Sequence, residues 1–252
     1  MPEQDGNVIE LYYDCISPYS WIAFESGAMP EQDGNVIELY YDCISPYSWI
    51  AFEVLTSYEK ILPFKLKLKP YSLPWVMKGA SQIPPALQSP AKAMYMMKDL
   101  KNVADYWNVP LHQPEDFLGG TLKRGTAKAQ RFLTAIQLNQ PKYLEAASRE
   151  LFKRVWSTDK PVHQIEHLRE VAASIGLPDA DKIIGAVDSP RVKETLKKRT
   201  DEALEQGAFG APWIVLRRPN KEEVCFFGSD RIHVIVHLLG CSFPGPVVKA
   251  KL

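Results

Sequence analysis

Alternating hydrophobic and polar positions predict a β-α-β unit in the first third of the chain. Residues 36–42 read V-I-E-L-Y-Y-D, a β-branched and aromatic run that is typical of a strand. Residues 64–69 alternate strictly, with phenylalanine and leucines on one face and lysines on the other, which predicts a half-exposed strand. Between these strands, a turn at residues 43–46 leads into an apolar-periodic helix that reaches residue 60.

The rest of the chain changes from helical to strand patterns. Residues 72–88 are rich in proline and predict a loop, whereas residues 89–206 predict several helices separated by prolines and glycines. Residues 213–218 and 224–227 predict a hairpin, and residues 229–239 predict a last helix whose first serine is its cap. This order predicts the α/β class, with one mixed sheet and a large all-helical insertion between the β-α-β and β-β-α halves.

A perfect duplication occupies the start of the chain. Residues 1–25 and 29–53 are identical, with three residues between them. Two copies do not make a repeat fold, so a recent duplication, an error in the gene prediction or a cloning scar are the available explanations. The second copy continues as a helix beyond residue 53, whereas the first meets a serine and a glycine. We therefore expect the second copy to occupy the fold and residues 1–28 to be a disordered appendage.

Composition and charge exclude some classes of function. The 252 residues carry 30 basic and 30 acidic groups, which gives no indication of a nucleic-acid partner. Without residues 1–28, 30 basic face 25 acidic groups, so the remaining 224 residues carry a net charge of +5. The longest weakly charged run is broken by prolines and glycines and is too short for the roughly 20 apolar residues of a membrane span.

Cysteine and histidine spacing argues against redox cycling and metal binding. None of the four cysteines stands in C-x-x-C spacing, which predicts a reducing compartment. His163 and His167 are four residues apart, as are His233 and His237, but neither pair has an evident third ligand. We therefore predict no metal site.

The candidate chemistry lies where the first strand enters its helix and where a later strand begins. Ser45 suits the cap of the helix and Pro46 its first position, and a thiolate there would gain from a hydroxyl and from the helix dipole. Pro212 directly precedes a strand, and a cis Ala211–Pro212 bond would leave the Ala211 backbone free to pair with an extended ligand. The alternative is that Ser45 only caps a helix and that Pro212 is an ordinary turn proline, without a role in binding. The functional interpretation is favoured only because both features occur together with the predicted order of strands and helices.

Several separated motifs, in this order, resemble the kappa class of glutathione transferases. They read E-L-Y-Y-D-C-I-S-P-Y-S-W-I-A-F-E-V-L, R-F-L-T-A, A-S-R-E-L-F-K-R-V-W-S, G-A-F-G-A-P and F-F-G-S-D-R. The resemblance spans residues 36–252 and implies a thioredoxin-like fold with a helical insertion, related to 2-hydroxychromene-2-carboxylate isomerase. Residues 29–71 and 207–252 would then form the thioredoxin-like domain, and residues 72–206 the helical insertion.

The resemblance also implies the role of the serine turn. Ser45 would donate a hydrogen bond to the sulfur of glutathione, and Pro46 and Tyr47 would complete the wall of the binding site around that sulfur. A hydroxyl without a neighbouring base is a poor nucleophile, so we assign Ser45 to thiolate stabilisation. The S-x-x-S sequence cannot cycle a disulfide, and Cys43 is expected to be a buried thiol.

By the same resemblance, five further positions would bind the rest of glutathione. The backbone of Ala211, beside Pro212, would pair with the cysteinyl part. Ser229 and Asp230 would hold the γ-glutamyl end, with Asp230 meeting its ammonium. Gln82 stands where the family commonly has asparagine, which leaves that side-chain contact open.

The implied activity is conjugation of glutathione, as co-substrate, to small hydrophobic electrophiles, with reduction of organic peroxides as a second activity and no other cofactor. A glutathione-dependent cis/trans isomerase and a non-catalytic chaperone or interaction module are the alternatives. A set of methionines and aromatic residues would line the electrophile cleft, unless it packs in the core or a dimer interface: Tyr71, Trp75, Met94, Tyr95, Met96 and Met97.

The resemblance further implies a homodimer and an organelle. Ala250, Lys251 and Leu252 resemble the S-K-L address that a peroxisomal import receptor reads. Mitochondria are the other compartment of the family. The address favours the peroxisome.

Overall fold

The computed structural model of the protein describes residues 34–246. The appendage at residues 1–28 and the address at residues 250–252 lie outside the described residues, so the corresponding statements stay predictions. Strand β1 spans Val36–Tyr41 and helix α1 spans Pro46–Tyr58, and both are formed by the second copy and the residues that continue it.

The remaining elements confirm the predicted order of strands and helices. They are β2 (Lys65–Pro70), α2 (Leu73–Gly79), α3 (Pro85–Gln88), α4 (Pro90–Trp107), a π-helical turn (Phe117–Leu122), α5 (Ala127–Asn139), a 3-10 turn (Pro141–Tyr143), α6 (Leu144–Trp156), α7 (Ile165–Ser174), α8 (Ala180–Gly185), α9 (Pro190–Glu205), β3 (Trp213–Arg217), β4 (Val224–Phe227) and α10 (Ile232–Leu238). Helices α2 to α9 separate β2 from β3. None of the described helices combines the length and the apolar character needed to cross a membrane.

The four described strands form one mixed sheet in the order β2-β1-β3-β4. β1 runs parallel to β2 and antiparallel to β3, and β3 and β4 form the predicted hairpin. β2 lies at one edge, and its Lys65 and Lys67 are exposed as the alternating sequence predicts, whereas Lys69 is half-buried and pairs with Glu38 at 3.4 Å. Charged side chains on an edge strand discourage pairing with another chain.

The sheet separates two hydrophobic clusters of unequal size. Ile37, Leu39 and Tyr41 alternate towards the larger cluster, which contains α1 and much of the helical insertion. The Tyr41 hydroxyl lies 2.6 Å from the Ser148 hydroxyl of α6, a buried hydrogen bond between sheet and insertion. Tyr40 points the other way, into a smaller cluster against α2 and α9. The insertion therefore packs mainly on the face of the sheet that carries α1.

Two local predictions are wrong. Most of residues 72–88 form α2 and α3 instead of a loop. Each helix has a proline in its first turn, where a backbone N–H has no partner within the helix and the missing donor costs nothing. Ser229 does not cap the last helix. Gly228 has a positive φ of 85°, residues 229–231 continue as a turn, and the helix begins at Ile232 after Arg231.

Candidate active site

Ser45 is the N-cap of α1, as predicted. Its backbone is extended, its Oγ accepts a hydrogen bond from the Ser48 N–H at 3.2 Å, and Pro46 occupies the first helical turn. Ser45 is only 5% exposed, so solvent screens its hydroxyl weakly. The positive end of the helix dipole and a hydroxyl are therefore presented at one point, which favours an anion.

The Ala211–Pro212 loop lies directly beside Ser45. The Ala211–Pro212 bond is cis, which confirms the prediction. The Ser45 hydroxyl donates to the Ala211 carbonyl at 3.2 Å, although 166 positions separate these residues. A hydroxyl has one proton, so Ser45 donates either to this carbonyl or to a ligand. The residues predicted to meet the sulfur and the cysteinyl backbone of glutathione are thus neighbours.

Tyr47 connects the serine turn to the helical insertion. Its hydroxyl donates to Oδ2 of Asp99 in α4 at 2.7 Å. Burial, the hydrogen bond to Asp99 and nearby negative charge, including that of Asp230, raise the pKa of Tyr47 above its usual range. Tyr47 therefore remains a protonated donor, and Asp99 is a site residue that sequence reasoning missed.

Ser229 and Asp230 line a cavity of about 330 Å³. Ser229 is buried, whereas Asp230 is exposed and pairs with Arg231 at 2.5 Å. The rest of the cavity wall comes from α4, from α10 and from the segment after it: Asn102, Val103, Tyr106, Trp107, Ile232, His233 and Phe243. The two candidate γ-glutamyl ligands thus lie in a concave space bordered by the insertion.

Two other groups of predicted residues are not brought together with Ser45. Gln82 is exposed in the turn between α2 and α3, and no side-chain hydrogen bond among the described residues links it to Ser45. The methionine and aromatic set does not form one cleft: Tyr71 is fully buried, whereas Trp75, Met94 and Tyr95 are exposed. Tyr71 instead supports the neighbouring loop, because its hydroxyl donates to the Gly210 carbonyl at 2.6 Å.

The three free cysteines among the described residues are poor nucleophiles. Cys43 is fully buried, and burial together with the negative charge of Asp42 raises its pKa well above the usual value. Cys225 and Cys241 are free and half-buried, and burial raises their pKa values as well. A protonated thiol is a weak nucleophile, so the site itself offers a hydroxyl and backbone groups. Within residues 34–246, no group of three or more potential metal ligands is found.

Sequence reasoning also missed Asp42, which precedes the serine turn. This carboxylate is 1% exposed and accepts hydrogen bonds from four donors: Ile44, Leu73, Thr126 and Gln130. The sequence did contain one signal for Asp42, because an acidic residue at the end of a buried strand needs hydrogen-bond partners. Its partners are too distant in sequence to be recognised from local patterns.

Comparison with known proteins identifies the family. The profile of the DSBA-like thioredoxin domain matches residues 36–240. Glutathione S-transferase kappa 1 of Homo sapiens is 39% identical over 244 residues, covering 96% of this chain and 95% of that protein. The chain belongs to the kappa class of glutathione S-transferases. The family resemblance and the thioredoxin-like fold class with a helical insertion are thereby confirmed.

The kappa-class chain is also similar to isomerases. The 2-hydroxychromene-2-carboxylate isomerase of Sphingobium xenophagum is 27% identical over 231 residues, covering 89% of this chain and 93% of that protein. A solved structure of a 2-hydroxychromene-2-carboxylate isomerase has a TM-score of 0.67 at 18% identity and covers 81% of this chain and 94% of that one. The structural likeness shows a shared fold.

Proposed function

We propose that this kappa-class chain binds glutathione beside Ser45 and conjugates it, through its sulfur, to small hydrophobic electrophiles. The observation that supports this best is the 3.2 Å contact between the Ser45 hydroxyl and the Ala211 carbonyl. It brings the helix N-cap next to the backbone expected to pair with the cysteinyl part of glutathione. The names of the kappa-class relatives favour the same substrate.

In the proposed mechanism, the Ser45 hydroxyl donates a hydrogen bond to the glutathione thiolate, which lies at the positive end of the α1 dipole. A hydrogen bond to a charged group is worth about 1.5–3 kcal/mol. Since one pKa unit corresponds to about 1.4 kcal/mol, Ser45 lowers the pKa of the bound thiol by about one to two units. The thiol proton leaves to solvent. The thiolate then attacks the electrophilic carbon, and the leaving group departs with its electron pair.

The remainder of glutathione is bound by opposite charge and backbone pairing. Asp230 is exposed at the cavity and meets the ammonium of the γ-glutamyl group, while Ser229 lies beside it. The net positive charge of the chain without residues 1–28 suits a tripeptide whose net charge is negative. Organic peroxides are a second acceptor. The same thiolate can attack a peroxide oxygen, which breaks the O–O bond and releases the alcohol, and a second glutathione then converts the resulting sulfenic acid to glutathione disulfide and water.

Ser45→Ala tests this proposal, with Ser189→Ala as the matched control. Ser189 also caps a helix that begins with proline, accepting from the Val192 N–H at 3.4 Å. We expect Ser45→Ala to raise the pKa of the bound thiol by about one to two units and to lower kcat/KM towards a chloronitroaromatic acceptor. Ser189→Ala should cost only about 1 kcal/mol of stability. Transfer that is unaffected by Ser45→Ala would refute the role of this hydroxyl.

A glutathione-dependent isomerase is the second candidate, favoured by the 27% identity to the Sphingobium xenophagum enzyme. The same variants should be assayed with a hydroxychromene carboxylate and glutathione. Turnover of this substrate with no transfer to the chloronitroaromatic acceptor would favour the isomerase. Glutathione that neither binds nor raises the Tm would instead favour a non-catalytic interaction module.

Two parts of the proposal do not depend on the site. Assembly into a homodimer rests on family resemblance alone, and delivery to the peroxisome rests on the likeness of residues 250–252 to the S-K-L address together with the family's compartments.

A further inference from the structure

A buried carboxylate stands at the end of β1, three residues before Ser45. Oδ1 of Asp42 accepts from the Ile44 N–H at 3.1 Å, from the Thr126 hydroxyl at 2.6 Å and from the Gln130 amide at 2.9 Å. Oδ2 accepts from the Leu73 N–H at 3.0 Å. None of these four partners is a cation. Burial raises the pKa of Asp42, and the four hydrogen bonds oppose that rise.

These hydrogen bonds join three parts of the molecule at one carboxylate. Ile44 belongs to the serine turn, Leu73 begins α2, and Thr126 and Gln130 belong to the start of α5 in the insertion. Both oxygens of Asp42 are hydrogen-bonded, whereas the buried Oε1 of Gln130 has no partner among the described residues. Buried hydrogen bonds to one carboxylate restrict how the three segments can be arranged. Asp42 thus links the serine turn to the insertion by hydrogen bonds.

The backbone of the serine turn is held at further points. The Ser45 N–H donates to the Asp42 carbonyl at 3.0 Å, which closes the turn. Trp156, at the end of α6, donates from Nε1 to the Cys43 carbonyl at 2.9 Å. The position of the Ser45 hydroxyl follows from the dihedral angles of residues 42–45, so these contacts decide where that hydroxyl lies.

On the basis of the proposed function, we propose that Asp42 is a positioning residue for thiolate stabilisation. It touches no substrate and acts by holding Ile44 and the following turn, with Thr126 and Gln130 anchoring its carboxylate from the insertion. Ser45 is held where it can donate to a thiolate at the N-terminus of α1. Loss of the carboxylate therefore changes the chemistry of bound glutathione as well as stability.

The test compares two variants of Asp42 with a structural control. Asp42→Ala removes all four acceptor contacts, and we expect it to raise the pKa of the bound glutathione thiol by at least half the rise seen in Ser45→Ala. Asp42→Asn can keep its oxygen towards Ile44 and should retain most of the wild-type thiol pKa. Tyr41→Phe removes a buried hydrogen bond to the insertion without touching the turn, so it should lower the Tm and leave the thiol pKa unchanged.

Hydrogen exchange at the Ser45 and Ser48 amides provides a readout that does not need glutathione. We expect faster exchange in Asp42→Ala than in Tyr41→Phe at matched stability. If wild-type protein does not lower the thiol pKa, the proposed function fails, while exchange still decides the role of Asp42. Asp42→Ala that lowers the Tm but keeps wild-type exchange and thiol pKa would overturn the inference.

Variants of the anchoring donors keep the test decisive if Asp42→Ala does not fold. Thr126→Val and Gln130→Leu each remove one donor to the carboxylate and leave Asp42 in place. We expect both to speed exchange at the Ser45 amide and to raise the thiol pKa in the same direction. Wild-type values of exchange and of the thiol pKa in both variants would refute the positioning role.

Discussion

Tyr71→Phe removes one oxygen atom from beneath the loop that faces Ser45. Tyr71 is fully buried, and its hydroxyl donates to the Gly210 carbonyl, one residue before Ala211. Burial and the charge of Asp42 raise the pKa of Tyr71 well above its usual value, so the phenol is protonated and acts as donor. Phenylalanine keeps the ring that packs edge-on against Tyr40, so the change isolates the hydrogen bond.

The expected loss of stability follows from the buried carbonyl that remains. Gly210 is buried, and a buried acceptor without its donor costs about 1–3 kcal/mol. We therefore expect the free energy of unfolding to fall by about 2 kcal/mol in Tyr71→Phe. For a domain of this size, 1 kcal/mol corresponds to roughly 2–4 °C, so the Tm should fall by about 4–8 °C.

Urea unfolding measures this change, with Tyr143→Phe as the control. The midpoint should fall at constant m-value in Tyr71→Phe. Tyr143 is half-buried, and its hydroxyl has no hydrogen-bond partner among the described residues, so its loss should change stability by less than about 0.5 kcal/mol. The Kd for glutathione should rise in Tyr71→Phe, because Gly210 adjoins Ala211. Wild-type stability and glutathione affinity in Tyr71→Phe would refute this reasoning.

Two further predictions concern the serine turn and the duplicated segment. Because burial and the bond to Asp99 raise the pKa of Tyr47, this phenol stays protonated through neutral pH, and Tyr47→Phe should leave the shape of the pH–rate profile unchanged between about pH 6 and pH 9. A titration step lost in Tyr47→Phe would contradict this. Deletion of residues 1–28 should leave Tm and glutathione transfer unchanged, since β1 and α1 begin after that segment; failure to fold would show that the first copy is needed.

The sequence predicted those parts of the fold that depend on local patterns. β1, β2 and the β3–β4 hairpin each have a period-2 or β-branched signature, and Ser45 followed by proline is a local cap signal. The same kind of reasoning failed for residues 72–88, because proline both breaks helices and begins them. It also failed at Ser229, where a positive-φ glycine and a turn delay the start of the helix.

Only those parts of the candidate site that have a local sequence signal, such as the Ser45 cap, could be predicted. Tyr47 meets Asp99 at a separation of 52 positions, and the Cys43 carbonyl meets Trp156 at a separation of 113. No local pattern pairs residues this far apart, since such contacts depend on how the insertion packs against the sheet. Both contacts fix the serine turn from the insertion side. On the proposed function, we therefore expect substitutions at Asp99 and Trp156, which contact the serine turn from the insertion, to alter the pKa of the bound thiol.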